Sequence, residues 1–387
     1  MNQELINSLS VLQSEMKEWM SALHQHPELA MEEHWTSQYI ASKLEEWGYD
    51  VAKGVGGTGI VASMTVGNGT KSIGLRADFD AVPIAEDNNL PYKSQNEGIA
   101  HLCGHDSHST MLLGAAKYLS EHNDFNGTVR FIFQPGEETM QGGTSMIADG
   151  LFERFPVDAV YGMHNMPGLE LGKFYFHENE TMSAVDNWEI ELIGKASHGS
   201  MPELSIDPLV CGASLVMALQ TIVSRNISPW SNTVVNVGAF NAGVAGNSVP
   251  QTATLQLSIR NMDSKVRQFV LDRIRFITKA QAESYNCEYK IHEGVAGTVL
   301  INTPENTRWA AQVARDTFGN DQVSEDMHPY MSSEDFAFML QKKTGNYCVM
   351  GNGDTQMVHH PHYVFNQQML SRGATYWVAL VQEYLKK

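Results

Sequence analysis

Residues 101–110 read HLCGHDSHST, which sets three histidines, a cysteine and an aspartate in one short stretch of a chain with only 4 cysteines in 387 residues. Thiolate, imidazole and carboxylate are the donors of a transition-metal site. Four further segments carry matching groups: LRADFD with Arg76, Asp78 and Asp80, QPGEE with Glu137 and Glu138, GMHN with His164, and MVHHPHY with His359, His360 and His362. Each motif alone has a plainer reading. A lone loop histidine such as His177 or His328 is ordinarily a surface residue, and paired glutamates are ordinarily solvated. Cys103 beside His105 reads equally well as a buried thiol next to a capping histidine, and His101 and His108 read as support at least as well as ligands. The signal lies in five segments offering the same class of donor.

Cys, His and Glu together suit a borderline metal such as Zn, Mn, Co or Ni better than Mg or Ca. Four or five ligands with a carboxylate to spare exceed the needs of one tetrahedral catalytic site. Two divalent ions roughly 3.5–4 Å apart, sharing a bridging ligand, would use them all and would acidify water near neutral pH. Of two adjacent glutamates, one can ligate while its neighbour serves as general base.

The elements that must hold these groups follow from periodicity. Residues 34–47 put Ile40, Leu44 and Trp47 on one helical face before Gly48. The runs 60–66 and 72–77 flank GNG and read as a hairpin. A helix is expected over 109–120, a strand over 128–133, a helix near 143–154 and a strand over 158–163. This alternation predicts an α/β domain with a mixed, largely parallel sheet and helices on both faces, its ligands lying beyond the carboxyl ends of the strands. From about 183 the rhythm becomes strand 188–194, helix 206–225, strands 232–240 and 252–260, helix 263–284 and strand 287–293. That is β-α-β-β-α-β, a ferredoxin-like unit. After 300 the first rhythm returns, with helices near 304–317 and 333–342, a strand at 347–351 and a helix at 366–386. We therefore expect a discontinuous catalytic domain, 1–182 with 297–387, interrupted by an inserted domain over 183–296.

Length favours two domains. A formal charge of −18 with no basic run argues against nucleic acid or an anionic membrane as partner. The first twenty residues lack a leader's apolar region, and no run approaches the ~18 apolar residues of a membrane span. Cys211, Cys287 and Cys348 are scattered singly in apolar contexts and read as core, which is no disulfide framework. A cytoplasmic protein is expected.

RADFDAVPI, HLCGHDSHSTMLLGAAKYL, FQPGEET, GMHNMP, KASHGSMPELSIDP, SSEDFA and HHPHYVFN resemble the signature blocks of the M20 metallopeptidase superfamily. The likeness is to its amidohydrolase branch of hippurate hydrolases, N-acyl-amino-acid deacylases and auxin-conjugate hydrolases, and with LHQHPELAMEE it runs from about residue 22 to 366. The resemblance implies metal ligands Cys103, His105, Glu138, His164 and His359, with Cys103 in the bridging place and His359 chosen by His-x-Pro-x-Tyr. It implies Glu137 as general base, Asp78 as a carboxylate orienting a ligand, and His198, Asn247 and Arg260 as substrate-binding. The inserted domain would be a lid and dimerisation module, giving a homodimer. Val364 and Gln367 stand where the family usually has aspartates, which bears on the acyl pocket and not on the ligands.

The expected activity is metal-dependent hydrolysis of an N-acyl amino acid. The alternative on the same scaffold is an aminopeptidase or dipeptidase. A zinc nucleobase deaminase is disfavoured because its paired His-x-Glu and Pro-Cys-x-x-Cys signature is missing. A metal-binding protein without turnover would not need Glu137 beside a full ligand set.

Overall fold

In the computed structural model, which describes residues 1–386, the chain forms two units. The first comprises Met1–Asn179, Ile301–His328 and the stretch from Asp335 onward; the second comprises Glu180–Leu300 and Pro329–Glu334. The short stretch 329–334 falls with the second unit, although its sequence continues the C-terminal flank. Backbone pairing explains this: Ser183 N donates to the carbonyls of Tyr330 and Ser332, and Tyr330 N donates to Thr181 O.

The first unit is built on a sheet of eight strands: β1 (Asp50–Val55), β2 (Gly59–Val66), β3 (Ser72–Asp78), β4 (Gly127–Gln134), β5 (Ala159–Met166), β6 (Phe174–Tyr175), β7 (Val323–Ser324) and β8 (Thr344–Gly351). Their order is β1-β2-β4-β3-β5-β8-β6-β7. The central run β4-β3-β5-β8 is parallel, so the carboxyl ends of these strands open on one rim. Alternation along β3 sends Ile73, Leu75 and Ala77 into the main core with Phe131 and Phe133 of β4. The helices Gln13–Gln25, His34–Glu46, His105–Glu121, Pro304–Phe318 and Leu370–Tyr384 contribute to that core. Gly74 faces the other way, against Val160 and Ile132, and the short helices Gly142–Ala148 and Phe336–Leu340 cover that side. Helix His105–Glu121 is buried from His105 through Ala116, which accounts for its small and apolar middle, MLLGAA.

β2 and β3 do not form the expected hairpin. Both pair with β4, β2 antiparallel and β3 parallel, so a strand some sixty residues later in the sequence separates them. The connection is held by Asn126, whose Oδ1 accepts the amides of Asn68 (3.0 Å) and Gly69 (2.8 Å). Gly67 has φ +70° in this turn, which a glycine takes without strain.

The second unit has strands Ala184–Ile193, Thr233–Ala242, Thr252–Asn261 and Glu288–Ala296 with helices Pro208–Thr221 and Ser264–Ser284, in the order β-α-β-β-α-β. Its antiparallel sheet runs Thr233–Ala242, Thr252–Asn261, Ala184–Ile193, Glu288–Ala296. Asp207 and Asp263 cap the two helices, each carboxylate accepting two first-turn amides. Trp188, Ile190, Leu192, Leu255 and Leu257 pack against Leu215, Leu219, Ile274 and Ile277 to make a separate core. Contrary to the expectation from sequence, the stretch Pro208–Asn226 is long and apolar enough, by length and composition, to cross a membrane. Cys211, Leu215, Leu219 and Ile222 are buried on its inner side, while Leu209, Val210, Met217 and Val223 are exposed. Apolar residues on both faces of one helix produce the long run.

Asn126→Ala removes an acceptor shared by two backbone amides and should lower the unfolding free energy by about 1–2 kcal/mol. Urea denaturation of the metal-loaded protein checks this, and Asn126→Asp, which keeps the acceptor, should lose less.

Candidate metal centre

Parallel pairing brings the predicted donors onto one rim. Asp78 ends β3 opposite Gln134, which ends β4; the turn Pro135-Gly136 then delivers Glu137 and Glu138. His164 lies inside β5, paired with Val349 of β8, where the sequence had it just beyond the strand. Cys103 closes the loop before helix His105–Glu121, which begins at the motif itself and not four residues later. His359 is tied to that loop by its amide, which donates to Leu102 O at 2.7 Å.

Among the described residues, the predicted ligands and Glu137 meet in three sets of donor atoms, each mutually within 4.8 Å: Cys103, His105 and His164; Cys103, Glu138 and His359; and His105, Glu137 and Glu138. Cys103 is common to the first two. Its Sγ is 3.4 Å from His164 Nε2, and His359 Nε2 is 3.0 Å from Glu138 Oε1.

Hydrogen bonds on the far side of each ring decide which nitrogen is offered. His105 Nδ1 faces Asp80, 3.0 Å from its carbonyl and 3.1 Å from Oδ1. That proton leaves Nε2 as the lone-pair face, and Nε2 has no hydrogen-bond partner of its own. It is 3.8 Å from Asp78 and 3.9 Å from both Glu137 and Glu138. His164 Nδ1 donates to Asn165 O, turning Nε2 toward Cys103. His108 is different: Nδ1 meets Asp78 Oδ1 at 2.7 Å and Nε2 accepts from Asn165 N at 3.1 Å, so both nitrogens are spent. His101 is buried with neither nitrogen bonded, and burial lowers its pKa to about 4. It is a neutral packing residue.

The field at His105 favours positive charge. Burial disfavours its imidazolium, but Asp78, Cys103 and Asp80 outweigh burial and lift its pKa well above the usual histidine value. Hydrogen bonds that the His359 ring gives to Cys103 and Glu138 raise its pKa to about 10, burial notwithstanding. Burial holds the Cys103 thiol up and takes His164 well below its usual value. A buried, unpartnered nitrogen facing three carboxylates beside a thiol is the chemistry of a divalent-cation site, so the donor set fits metal.

Asp78 sits one step back. Against the cost of its burial, His105, Arg76 and His108 keep it well below the ordinary carboxylate range; Arg76 Nη1 donates to it at 2.7 Å. The carboxylate that bonds a donor histidine is Asp80, which also accepts Glu138 N at 2.9 Å. Asp80 stood in LRADFD without a role. Also missed were Asn165 and Tyr363. Asn165 Nδ2 donates to Cys103 O (2.8 Å), and Oδ1 accepts the Tyr363 hydroxyl (2.7 Å). The sequence signals for this pair were the position of Asn165 next to His164 and that of Tyr363 in the His-x-Pro-x-Tyr pattern, which was used only to choose His359.

His198, Asn247 and Arg260 belong to the second unit. His198, exposed, bonds Ser200 Oγ through Nδ1 at 2.7 Å and pairs in register with Ser248, while Gly199 N donates to Asn247 O. Arg260 lies on strand Thr252–Asn261 and donates to Ser333 Oγ at 2.9 Å.

A largely parallel sheet presenting Cys, His and Glu donors on its carboxyl rim, with a β-α-β-β-α-β unit inserted between β6 and β7, defines a hydrolase of the metal-dependent α/β type. The chain belongs to peptidase family M20/M25/M40, whose model matches residues 74–383. It is 43% identical over 382 residues to hippurate hydrolase of Campylobacter jejuni, covering 99% of this chain and 100% of that one. N-acetyl-L-cysteine deacetylase of Bacillus subtilis is 34% identical over 368 residues, covering 95% and 87%. In structure the chain is similar to a Bacillus subtilis dinuclear metal-binding peptidase of the M20 family, with a TM-score of 0.82, 28% identity and coverage of 97% and 99%.

Gly104, with φ +96°, precedes His105, and a Cβ there would collide with Asn165 Nδ2 and Tyr363 Oη. Gly104→Ala should cost at least about 2 kcal/mol and lower metal content; thermal unfolding and elemental analysis read the two effects.

The same helix start is anchored from behind by buried His24, whose Nδ1 meets Asp106 Oδ2 at 2.8 Å and Nε2 meets Glu86 Oε1 at 3.3 Å. Burial opposes the charge on His24, but these two acids raise its pKa to about 9. A raised folded-state pKa gives stability that is full below the unfolded value of about 6.5 and is lost as pH climbs through about 9. His24→Gln should therefore destabilise by on the order of 3 kcal/mol at pH 6 and by clearly less at pH 10, read from chemical denaturation at both pH values.

Proposed function

We propose that this chain hydrolyses the amide bond of N-acyl amino acids, acetyl or aromatic acyl, with Glu137 as general base. The convergence of Cys103, His105, Glu138, His164 and His359 beside a carboxylate outside that set carries the reading. The likeness to hippurate hydrolase and N-acetyl-L-cysteine deacetylase supports the substrate class.

Cys103, His105, Glu138, His164 and His359 would hold two divalent ions, Mn, Zn, Co or Ni. When bound, the ions supply Lewis acidity toward the scissile carbonyl and acidify water. The remaining work falls to the chain. Asp80 and Asn165 O fix the tautomers of His105 and His164, so each presents Nε2 without reorganising. Glu137, almost buried and 3.9 Å from His105 Nε2, takes the proton from the attacking water on a carboxylate oxygen and returns it to the departing amine. Asp78 balances the charge of His105 and Arg76. His198 is assigned to the developing oxyanion, and Asn247 and Arg260 to the substrate carboxylate.

We further place the protein in the cytoplasm, a reading supported by four unbridged cysteines, and as a homodimer joined through the second unit. The exposed Leu209, Val210, Met217 and Trp230 and the free edge of strand Thr233–Ala242 support that face.

Glu137→Gln should keep its metal and lose about 10²–10⁴-fold in kcat. Retained metal with near-normal turnover would remove the base assignment. Chelation should abolish activity, and re-addition of Mn, Zn, Co or Ni should restore it. Amine release from a panel of N-acyl amino acids set against dipeptides tests the substrate class, and faster dipeptide cleavage would favour the aminopeptidase or dipeptidase reading.

A further inference from the structure

The block LHQHPELAMEE has no donor in the centre, yet its residues 27–33 touch both acid-bearing loops. At one end, Ala81 N donates to Glu28 O at 2.9 Å, beside a parallel bridge between Leu29 and Ala81. This holds the strand end that carries Asp80. At the other end lies Glu33, fully buried. Its Oε1 accepts Gly136 N at 2.8 Å and Met31 N at 2.9 Å, and its Oε2 accepts the Thr58 hydroxyl at 2.6 Å. None of these three partners is a cation.

Gly136 directly precedes Glu137. It has φ +58°, and a Cβ there would come within 2.6 Å of Met31 Sδ. Met31 itself has φ +67°, a conformation that costs an ordinary side chain energy. The turn is thus pressed tightly against the peptide before the base. The Glu28 carboxylate caps the following helix through Trp35 N (3.0 Å) and Thr36 N (2.8 Å), so the turn is anchored independently of the loop it holds. A buried carboxylate bonded only to neutral donors is costly; here one of its three bonds is to the backbone amide immediately before Glu137, and the other two hold the carboxylate in place for it.

We infer that Glu33 is a positioning residue: its carboxylate clamps the Gly136 amide and so aims the Glu137 carboxylate at the attacking water. This rests on the reading of Glu137 as general base. Misplacement of a proton acceptor by a fraction of an ångström lowers turnover while leaving substrate binding largely intact.

The test compares Glu33→Ala, Glu33→Gln, Thr58→Val and Glu137→Gln in the metal-loaded full-length protein, on whichever N-acyl amino acid of the panel it turns over fastest. Glu33→Ala should lower kcat on the order of 10–100-fold, with KM within a few-fold and metal equivalents unchanged. Glu33→Gln, whose amide oxygen still accepts both N–H groups, should recover most of that loss. Thr58→Val, which removes one bond to the same carboxylate, should lose about 3-fold in kcat. Adding Glu33→Ala to Glu137→Gln should slow the enzyme no further.

Wild-type kcat in Glu33→Ala, equal loss in Glu33→Gln, or a loss tracking metal content would each overturn the inference. So would full additivity in the double variant. If Glu33→Ala does not fold, the decision passes to Thr58→Val, where an unchanged kcat overturns it. An active Glu137→Gln defeats the base assignment and this inference together; an inactive Glu137→Gln with a fully active Glu33→Ala defeats this inference alone.

Discussion

A concentration of buried negative charge governs the first unit. Asp78, Glu137, Glu138 and the Cys103 sulfur all face His105 Nε2 within a few ångströms, and acids at such density are tolerated in an interior only when cations answer them. The chain supplies part of the answer itself. Arg76, 1% exposed, donates to Asp78 and to Asp335 (3.0 Å), and its Nε donates to Gln134. One guanidinium thus ties the end of β3 to the end of β4 and to the stretch leading into helix Phe336–Leu340. The charge that Arg76 leaves unanswered is the attraction offered to incoming metal. The raised pKa of His105 is the same field expressed with a proton.

The donor-bearing segments were legible in the sequence because five of them carry Cys, His or acidic groups and strand alternation predicts which ends share a rim; the choice of ligands within them came from the family resemblance. The inserted β-α-β-β-α-β rhythm was legible for the same reason: each element is long and strongly periodic. What escaped was non-local. The β2–β3 hairpin reading failed because β4 intervenes, and nothing local to GNG reports a strand beginning at Gly127. Asp78 and Asp80 stand two apart in LRADFD. Which of them reaches His105 depends on Phe79 N donating to Gln134 O, a contact that exists only once β3 and β4 are side by side. Helix His105–Glu121 was expected to begin later because HDSH carries little helix propensity. Its first turn is instead fixed from outside, by Asp78 on His108 and by His24 on Asp106.

Hydrogen bonds to neutral groups do as much as charge in this arrangement. Asn165 and Tyr363, both buried, join the Cys103 loop, the His164 strand and the His359 loop through two bonds, and Asn165 Nδ2 also meets His108 Nε2. An asparagine can do this because it offers an acceptor and two donors on one short stem, and its position next to His164 puts those groups within one residue of a donor. Gly104 is the complement: the space that a side chain would fill is taken by Asn165 and Tyr363. Packing and polarity here are one constraint, since the absent Cβ permits the bonds that hold the loop.

The two donor histidines then show why their anchors must be separate. The rings of His105 and His164 stand nearly perpendicular, at 88°, with centroids 6.0 Å apart. His105 is held through Nδ1 by Asp80, at the end of β3, and His164 by the carbonyl next to it on β5. Neither acceptor moves with the other's ring. Rotation of one imidazole would therefore break its own bond without any compensating motion in its neighbour, and both Nε2 atoms stay aimed before any cation arrives. A single shared anchor would couple the two rotations and let the pair swing together. Independent tethers on different strands make the rigidity of the parallel sheet, and not the flexibility of its loops, the source of the geometry.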